Sequence, residues 1–249
     1  MIESFHLSLT NWGLLALCAF LIGMSKAGVP GVSMVAIPVL AMIFGGKQST
    51  GIMLPMLIIA DVFGVSYYHR HANWKHVWRA LPWAFIGVLV AMIVGNVVND
   101  QQFKSIIAVV IFASIALMIW RDKSKRALQI PNSWYFAAAM GLAGGFATMI
   151  GNAAGPIFAI YLLALRLPKN EYIGTAAWFF FIINLLKFPL HFFSWETING
   201  STLLIDSFML PSIALGAFAG FWLVKKISIN SYRWLVIVVT VLSAFVMII

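Results

Sequence analysis

Charge is scarce in this sequence, and acidic charge scarcer still. Of 249 residues only 9% are Asp, Glu, Lys or Arg, seven of them acidic and sixteen basic, whereas an average soluble domain is roughly 25% charged. Such depletion excludes an ordinary water-exposed surface. Cysteine is nearly absent: the single Cys18 excludes a disulfide framework and a cysteine metal cluster, and inside an apolar run it reads as a small packing residue. The first residues show neither a basic region nor a small-residue cleavage site, so the first apolar segment is expected to stay in the mature protein. A Gly-x-x-x-x-Gly-Lys-[Ser/Thr] phosphate loop, a His-Glu-x-x-His helix and a Gly-x-Ser-x-Gly elbow are all missing. Their absence argues against nucleotide hydrolysis and the common hydrolytic chemistries. An enzyme is not expected, nor is a cofactor or a resident metal.

What fills the space is apolar. Hydrophobic residues make up 62% of the chain and mean hydropathy is +0.97, which predicts an all-α polytopic membrane protein. Runs long enough to cross a bilayer, about 18 to 22 residues, cover 50–68, 77–98, 103–120, 172–193, 203–224 and 232–249. Two further runs, about 12–44 and 134–165, are interrupted, the first by Gly23-Met-Ser-Lys-Ala-Gly-Val-Pro-Gly31 and the second by Thr148-Met-Ile-Gly-Asn-Ala-Ala-Gly-Pro156. The pieces of the first, 12–25 and 31–45, each look short for a crossing, so each interrupted run is read as a broken-helix, re-entrant-like hairpin.

The sequence also aligns with itself. An offset of 123 residues sets Gly28 on Gly151 and Gly51 on Gly174; after a short insertion an offset of 129 sets Leu81-Pro82 and Gly87 on Leu210-Pro211 and Gly216. A first repeat over 1–120, a basic linker leading into the second repeat over 121–136, and a second repeat over 137–249 follow, each repeat a hairpin plus three spans. An odd number of crossings per repeat makes the halves inverted. That arrangement puts Arg70, Lys75, Arg79, Arg121, Lys123, Lys125, Arg126, Arg166, Lys169, Lys225, Lys226 and Arg233 on one side, leaving Lys47 and Lys104 on the other with Glu3, Asp100 and Glu196. Basic loops face the cytoplasm, so both termini are expected outside. The same sorting explains the net charge of +9 without a nucleic-acid partner.

Broken helices at matching positions in two halves point to a transporter's substrate site. Backbone left unpaired at membrane depth must face protein or a watery cavity, and helix N-termini offer amides and a positive dipole to an anion. The candidate substrate ligands are therefore Gly28, Gly31, Ser33, Gly151, Asn152 and Gly155, with Lys26 supplying charge and Ser25 and Thr148 able to add neutral hydrogen bonds. Charges inside apolar runs are functional candidates by default. Asp61 lies mid-span, its repeat equivalent is Asn184, and Lys187 follows one helical turn later. These three are candidates for proton coupling or gating, Asp61 as a lone carboxyl carrying the proton, and an Asp61–Lys187 ion pair is the structural alternative. Glu171 and Asp206 sit nearer span ends and are expected to be solvated at the interface. The histidines of Tyr68-His-Arg-His-Ala-Asn-Trp-Lys-His76 read as an interfacial anchor rather than a metal site.

The glycine-rich break followed by Ala36-Ile-Pro38-Val-Leu40, and in the second half Gly151-Asn-Ala-Ala-Gly-Pro156 followed by Leu167-Pro-Lys-Asn-Glu-Tyr-Ile-Gly-Thr175, resemble the TauE/SafE family of sulfite and organosulfonate exporters. The resemblance implies a multi-pass protein of the bacterial inner membrane that exports a small sulfur-containing anion, coupled to protons or to the membrane potential. Its partners would be that anion and the bilayer, and a homodimer is compatible with it. Two other readings stay open at this level: an uncoupled anion channel or facilitator, and an intramembrane enzyme or accessory subunit.

Overall fold

The computed structural model describes residues 7–29, 31–123, 133–165 and 167–226. Ten α-helices make up the described chain: α1 (Leu9–Lys26), α2 (Ala36–Phe44), α3 (Gly46–Tyr68), α4 (Trp74–Val97), α5 (Asp100–Lys123), α6 (Trp134–Gly151), α7 (Gly155–Ala164), α8 (Lys169–Pro189), α9 (Gly200–Phe208) and α10 (Leu210–Lys226). No strand occurs among the described residues. Five helices are long and apolar enough to cross a membrane, or six if α9 and α10 form one bent span. The chain is a multi-pass membrane protein. The expected last span, 232–249, and most of the linker lie outside the described residues.

Two expectations about the spans need correction. The first arm of each broken run is not short: α1 and α6 have 18 residues each, about 27 Å at 1.5 Å per residue. A serine cap explains the extra length of α1, because Ser8 accepts from the Asn11 amide and starts the helix at Leu9, ahead of the apolar run, whereas α6, capped by Ser133, starts at Trp134 where its run begins. Only the second arms are short, Val32–Phe44 and Gly155–Ala164. The run at 203–224 is also not one straight span but α9 and α10, bent by 49°. Pro211, which has no amide to donate, stands at the start of α10 and breaks the ladder.

Helix packing pairs the two halves. The most extensive contacts are α4 with α6, α1 with α10, and α3 with α8. Exchanging the halves by the sequence offsets maps the first pair onto the second and the third onto itself. Glycines make the first two pairs close. A Cβ at Gly145 would overlap the Ala84 carbonyl, and one at Gly216 the Phe20 carbonyl, so backbone lies directly on backbone. Close approach over small residues is how helices gain packing contacts where lipid supplies no hydrophobic drive.

α3 begins against another element rather than with its own cap. The Gly46 and Lys47 amides donate to Asp100 Oδ1 at 2.8 and 3.2 Å, a carboxylate on the positive end of a helix. Burial alone would push the Asp100 carboxyl up, but hydrogen bonds from Lys104 and from the two amides outweigh it and hold it below the ordinary carboxylate range.

Candidate functional site

The two breaks meet. α1 ends at Lys26, and the chain then turns through Gly28 (φ +113°) and Gly31 (φ +92°) into a short 3-10 turn, Val32–Val35, that leads into α2. Both φ values lie where a Cβ is strained, which is why glycine stands there. The second break uses a different device. α6 closes with Asn152 in the left-handed region, φ 54°, its amide donating to Thr148 and the Ala153 amide to Ala147, the pattern of a Schellman cap. α7 then starts at Gly155 with Pro156 in its first turn, where a missing amide costs nothing.

Between the breaks lies a cavity of roughly 80 Å³ whose polar wall is Ser25, Lys26, Ser33, Thr148, Asn152 and Asn184. A single water needs on the order of 10 to 15 Å³ measured this way, so the space suits a small oxyanion and is far too small for a nucleotide. Phe158 and Phe180 line its apolar side. Of the residues singled out from sequence, Lys26, Gly28, Gly31, Ser33, Asn152, Gly155 and Asn184 line this cavity, whereas Gly151 does not: it is the last residue of α6. Ser25 and Thr148, equivalents under the 123-residue offset and expected from sequence to add neutral hydrogen bonds, line it as well.

Behind the wall lies a charged network. Lys26 Nζ stands 2.9 Å from Asp61 Oδ1 and 4.4 Å from the centre of the Phe180 ring, a cation–π position. Asp61, on α3, is fully buried, and its Oδ2 accepts from Asn184 Nδ2 at 2.7 Å. Lys187, on α8, is also fully buried. Its Nζ donates to Asn152 Oδ1 at 2.6 Å, Thr148 Oγ1 at 3.2 Å and Asn184 Oδ1 at 3.2 Å. The expected alternative, an Asp61–Lys187 ion pair, is thus corrected. Asp61 is paired with Lys26, and Asn184 stands between Asp61 and Lys187. Nor is Asp61 a lone carboxyl.

The neutral side chains are also committed. Asn152 Nδ2 donates to the Thr50 carbonyl at 3.2 Å, and Ser25 and Ser33 share a 3.0 Å hydrogen bond. Ser25 and Ser33 therefore have one hydroxyl contact to each other and room to turn toward a ligand, while Asn152 has both ends of its amide occupied.

Asp206 does not behave as expected for a span end. It is 2% exposed, and neither carboxyl oxygen has a hydrogen-bond partner among the described residues. The bend between α9 and α10 is the reason, since it lays α9 across α3 and covers a position that a straight span would leave near water.

A family model described as Sulfite exporter TauE/SafE matches residues 15–247. No curated protein and no solved structure matches the chain.

Proposed function

The chain belongs to the sulfite exporter TauE/SafE family, a family of membrane transporters, and from that membership and its cavity we propose that it exports a small sulfur-containing oxyanion, sulfite or an organosulfonate, by alternating access. The observation that carries this reading is one cavity built from both broken segments and flanked by two lysines against a single carboxylate. With both lysines protonated the site has an excess of one positive charge. A monovalent oxyanion balances it, and a neutral solute of the same shape gains nothing from it.

Ser25, Ser33 and Thr148 offer hydroxyl hydrogens, and the start of α7 at Gly155 offers amide hydrogens and the positive end of a helix. Lys26 faces the cavity from the side of Asp61, so an entering anion competes with that carboxylate for its ammonium. The halves are read as inverted in the membrane, with the anion held near the midplane and both termini on the outer side of a bacterial inner membrane. Basic residues of the described loops support that orientation.

The test is uptake of labelled sulfite and labelled methanesulfonate into proteoliposomes, for the natural chain and Lys26→Ala. Saturable uptake of at least one of them, reduced tenfold or more in the variant, is expected. Absence of any flux by the natural chain refutes the reading.

A further inference from the structure

Asp61 and Lys187 differ in how many protonation states their surroundings fit. Asp61 is held at both oxygens: Oδ1 is ion-paired with Lys26 Nζ at 2.9 Å, and Oδ2 accepts from Asn184 Nδ2. Asn184 cannot turn over to serve a protonated carboxyl, because its Oδ1 is held by Lys187. A proton on either oxygen of Asp61 would face an existing donor. The shell matches the carboxylate and only the carboxylate.

The shell of Lys187 matches two states. As an ammonium it has three hydrogens for three acceptors, Asn152 Oδ1, Asn184 Oδ1 and Thr148 Oγ1. As a neutral amine it keeps two hydrogens for the two amide oxygens, which can only accept, and its lone pair takes the Thr148 hydroxyl hydrogen once that hydroxyl turns. No polar atom is left without a partner in either state. Asn152 and Asn184 are themselves held in register by the Thr50 carbonyl and Asp61, so the choice of state falls to the Thr148 hydroxyl alone.

Charge then selects between the states. The charged groups that act on Lys187 are Lys26 on α1 and Asp61 on α3, which neutralise each other, and His191 in the π-helical turn that follows α8, whose Nδ1 is occupied by Thr197. From α6 and the second break it meets only Thr148 and Asn152, both neutral. A fully buried ammonium without a counterion is costly. An anion in the cavity supplies the counterion.

Resting on the transport reading above, we infer that Lys187 is the proton carrier of the cycle: it takes up one proton as a monovalent oxyanion enters the cavity and returns it as the anion leaves. The empty site with neutral Lys187 and the loaded site with protonated Lys187 then both have zero net charge. These are the two forms that can reorient across the bilayer at low electrostatic cost, so anion and proton cross together. The direction of net flow is set by the product of the anion and proton activities on the two sides. Thr148 is the positioning residue, since its hydroxyl is the hydrogen that the neutral amine needs.

The experiment uses proteoliposomes holding a trapped pH indicator, with the membrane potential clamped at zero, and labelled methanesulfonate and sulfite as probes. For the natural chain, methanesulfonate entry is expected to acidify the lumen with one proton per anion. In Lys187→Arg, where the charge is permanent, anion-for-anion exchange is expected to persist while net uptake with a proton falls at least tenfold. Methanesulfonate entry without proton entry overturns the inference and leaves the transport reading standing, as does proton-coupled uptake undiminished in Lys187→Arg. If neither probe moves with the natural chain, the transport reading fails and the inference with it. Thr148→Val is the second variant, read by the pH at which methanesulfonate binding to the purified protein is half-maximal. Valine removes both the oxygen that accepts from the ammonium and the hydrogen that the neutral amine would take; the charge-assisted bond is the stronger of the two, so that pH falls by roughly half to one unit. An unmoved midpoint overturns the inference even if Lys187→Arg does not assemble.

Discussion

The two breaks occupy matching places in the chain and are built in opposite ways. The first turns on two glycines at positive φ and carries its lysine at the cavity wall, 12% exposed at the side chain and paired with a carboxylate 2.9 Å away. The second turns on Asn152, and its lysine is fully buried behind the wall among neutral oxygens. One lysine stands in an ion pair; the other has only neutral oxygens within hydrogen-bond reach. Similar sequence grammar thus gives two chemical roles, and the difference lies in where the partner carboxylate sits.

Removing the paired lysine should do the most damage. Lys26→Met leaves Asp61 buried and uncompensated and is expected to cost about 3–5 kcal/mol, measured as the denaturant midpoint in detergent; Asp61→Asn added to it should restore most of that loss, and a strictly additive double variant would break the comparison. Making the second break imitate the first is next. Asn152→Asp tolerates the left-handed backbone and gives Lys187 its own carboxylate, so proteoliposome uptake of methanesulfonate should fall on the order of a hundredfold, through repulsion worth several kcal/mol, with the fold intact. Lys187→Met strands carbonyl oxygens but no charge, and should cost about 1–3 kcal/mol, less than its counterpart Lys26→Met in the same assay. Gly31→Ala tests the backbone half of the comparison and is expected to cost about 1–2 kcal/mol in thermal unfolding, for a Cβ forced into the left-handed region.

The smallest effect concerns helix starts. α3 is capped from outside by Asp100, whereas α8 carries its own Glu171 in its first turn. Because the folded state holds the Asp100 carboxyl below its ordinary value of about 3.9, its contribution is present above that value and is lost as pH falls through the lower folded value. Asp100→Asn should therefore lower the melting temperature slightly at neutral pH and flatten the acid limb, the variant and the natural chain converging at low pH.

Much of this architecture is legible in the sequence because each feature is local. An apolar run without charges has to be helix in a membrane, and glycine beside proline interrupts it wherever it stands. What could not be read needs tertiary contacts. The partner of Asp61 is a case in point: Lys26, Lys187 and Asn184 are equally good candidates by composition, and only the packing of α1, α3 and α8 decides among them. Asp206 misleads for a related reason, since its place near the end of an apolar run suggests water while the bend after Phe208 covers it. Ser25 and Thr148 are legible because they lie within the two breaks at equivalent positions, whereas a lone hydroxyl in an unbroken apolar run carries no signal of its own. The serine cap that lengthens α1 lies just outside the apolar run, where hydropathy does not register it.

The contacts of Gly145 in α6 with α4, and of Gly216 in α10 with α1, have a mechanical meaning. Where backbone rests on backbone, no side chain is available to change rotamer and absorb a sliding motion, and a close-packed contact moves as a block or not at all. α1 with α10, and α4 with α6, are accordingly stiff beams, each joining helices from both halves. The rocking that the proposed alternating access requires would be taken up between these beams, along the α3 and α8 contact. Asp61 and Lys187 lie on those two helices, on the axle, while Lys26 rides on the α1 arm.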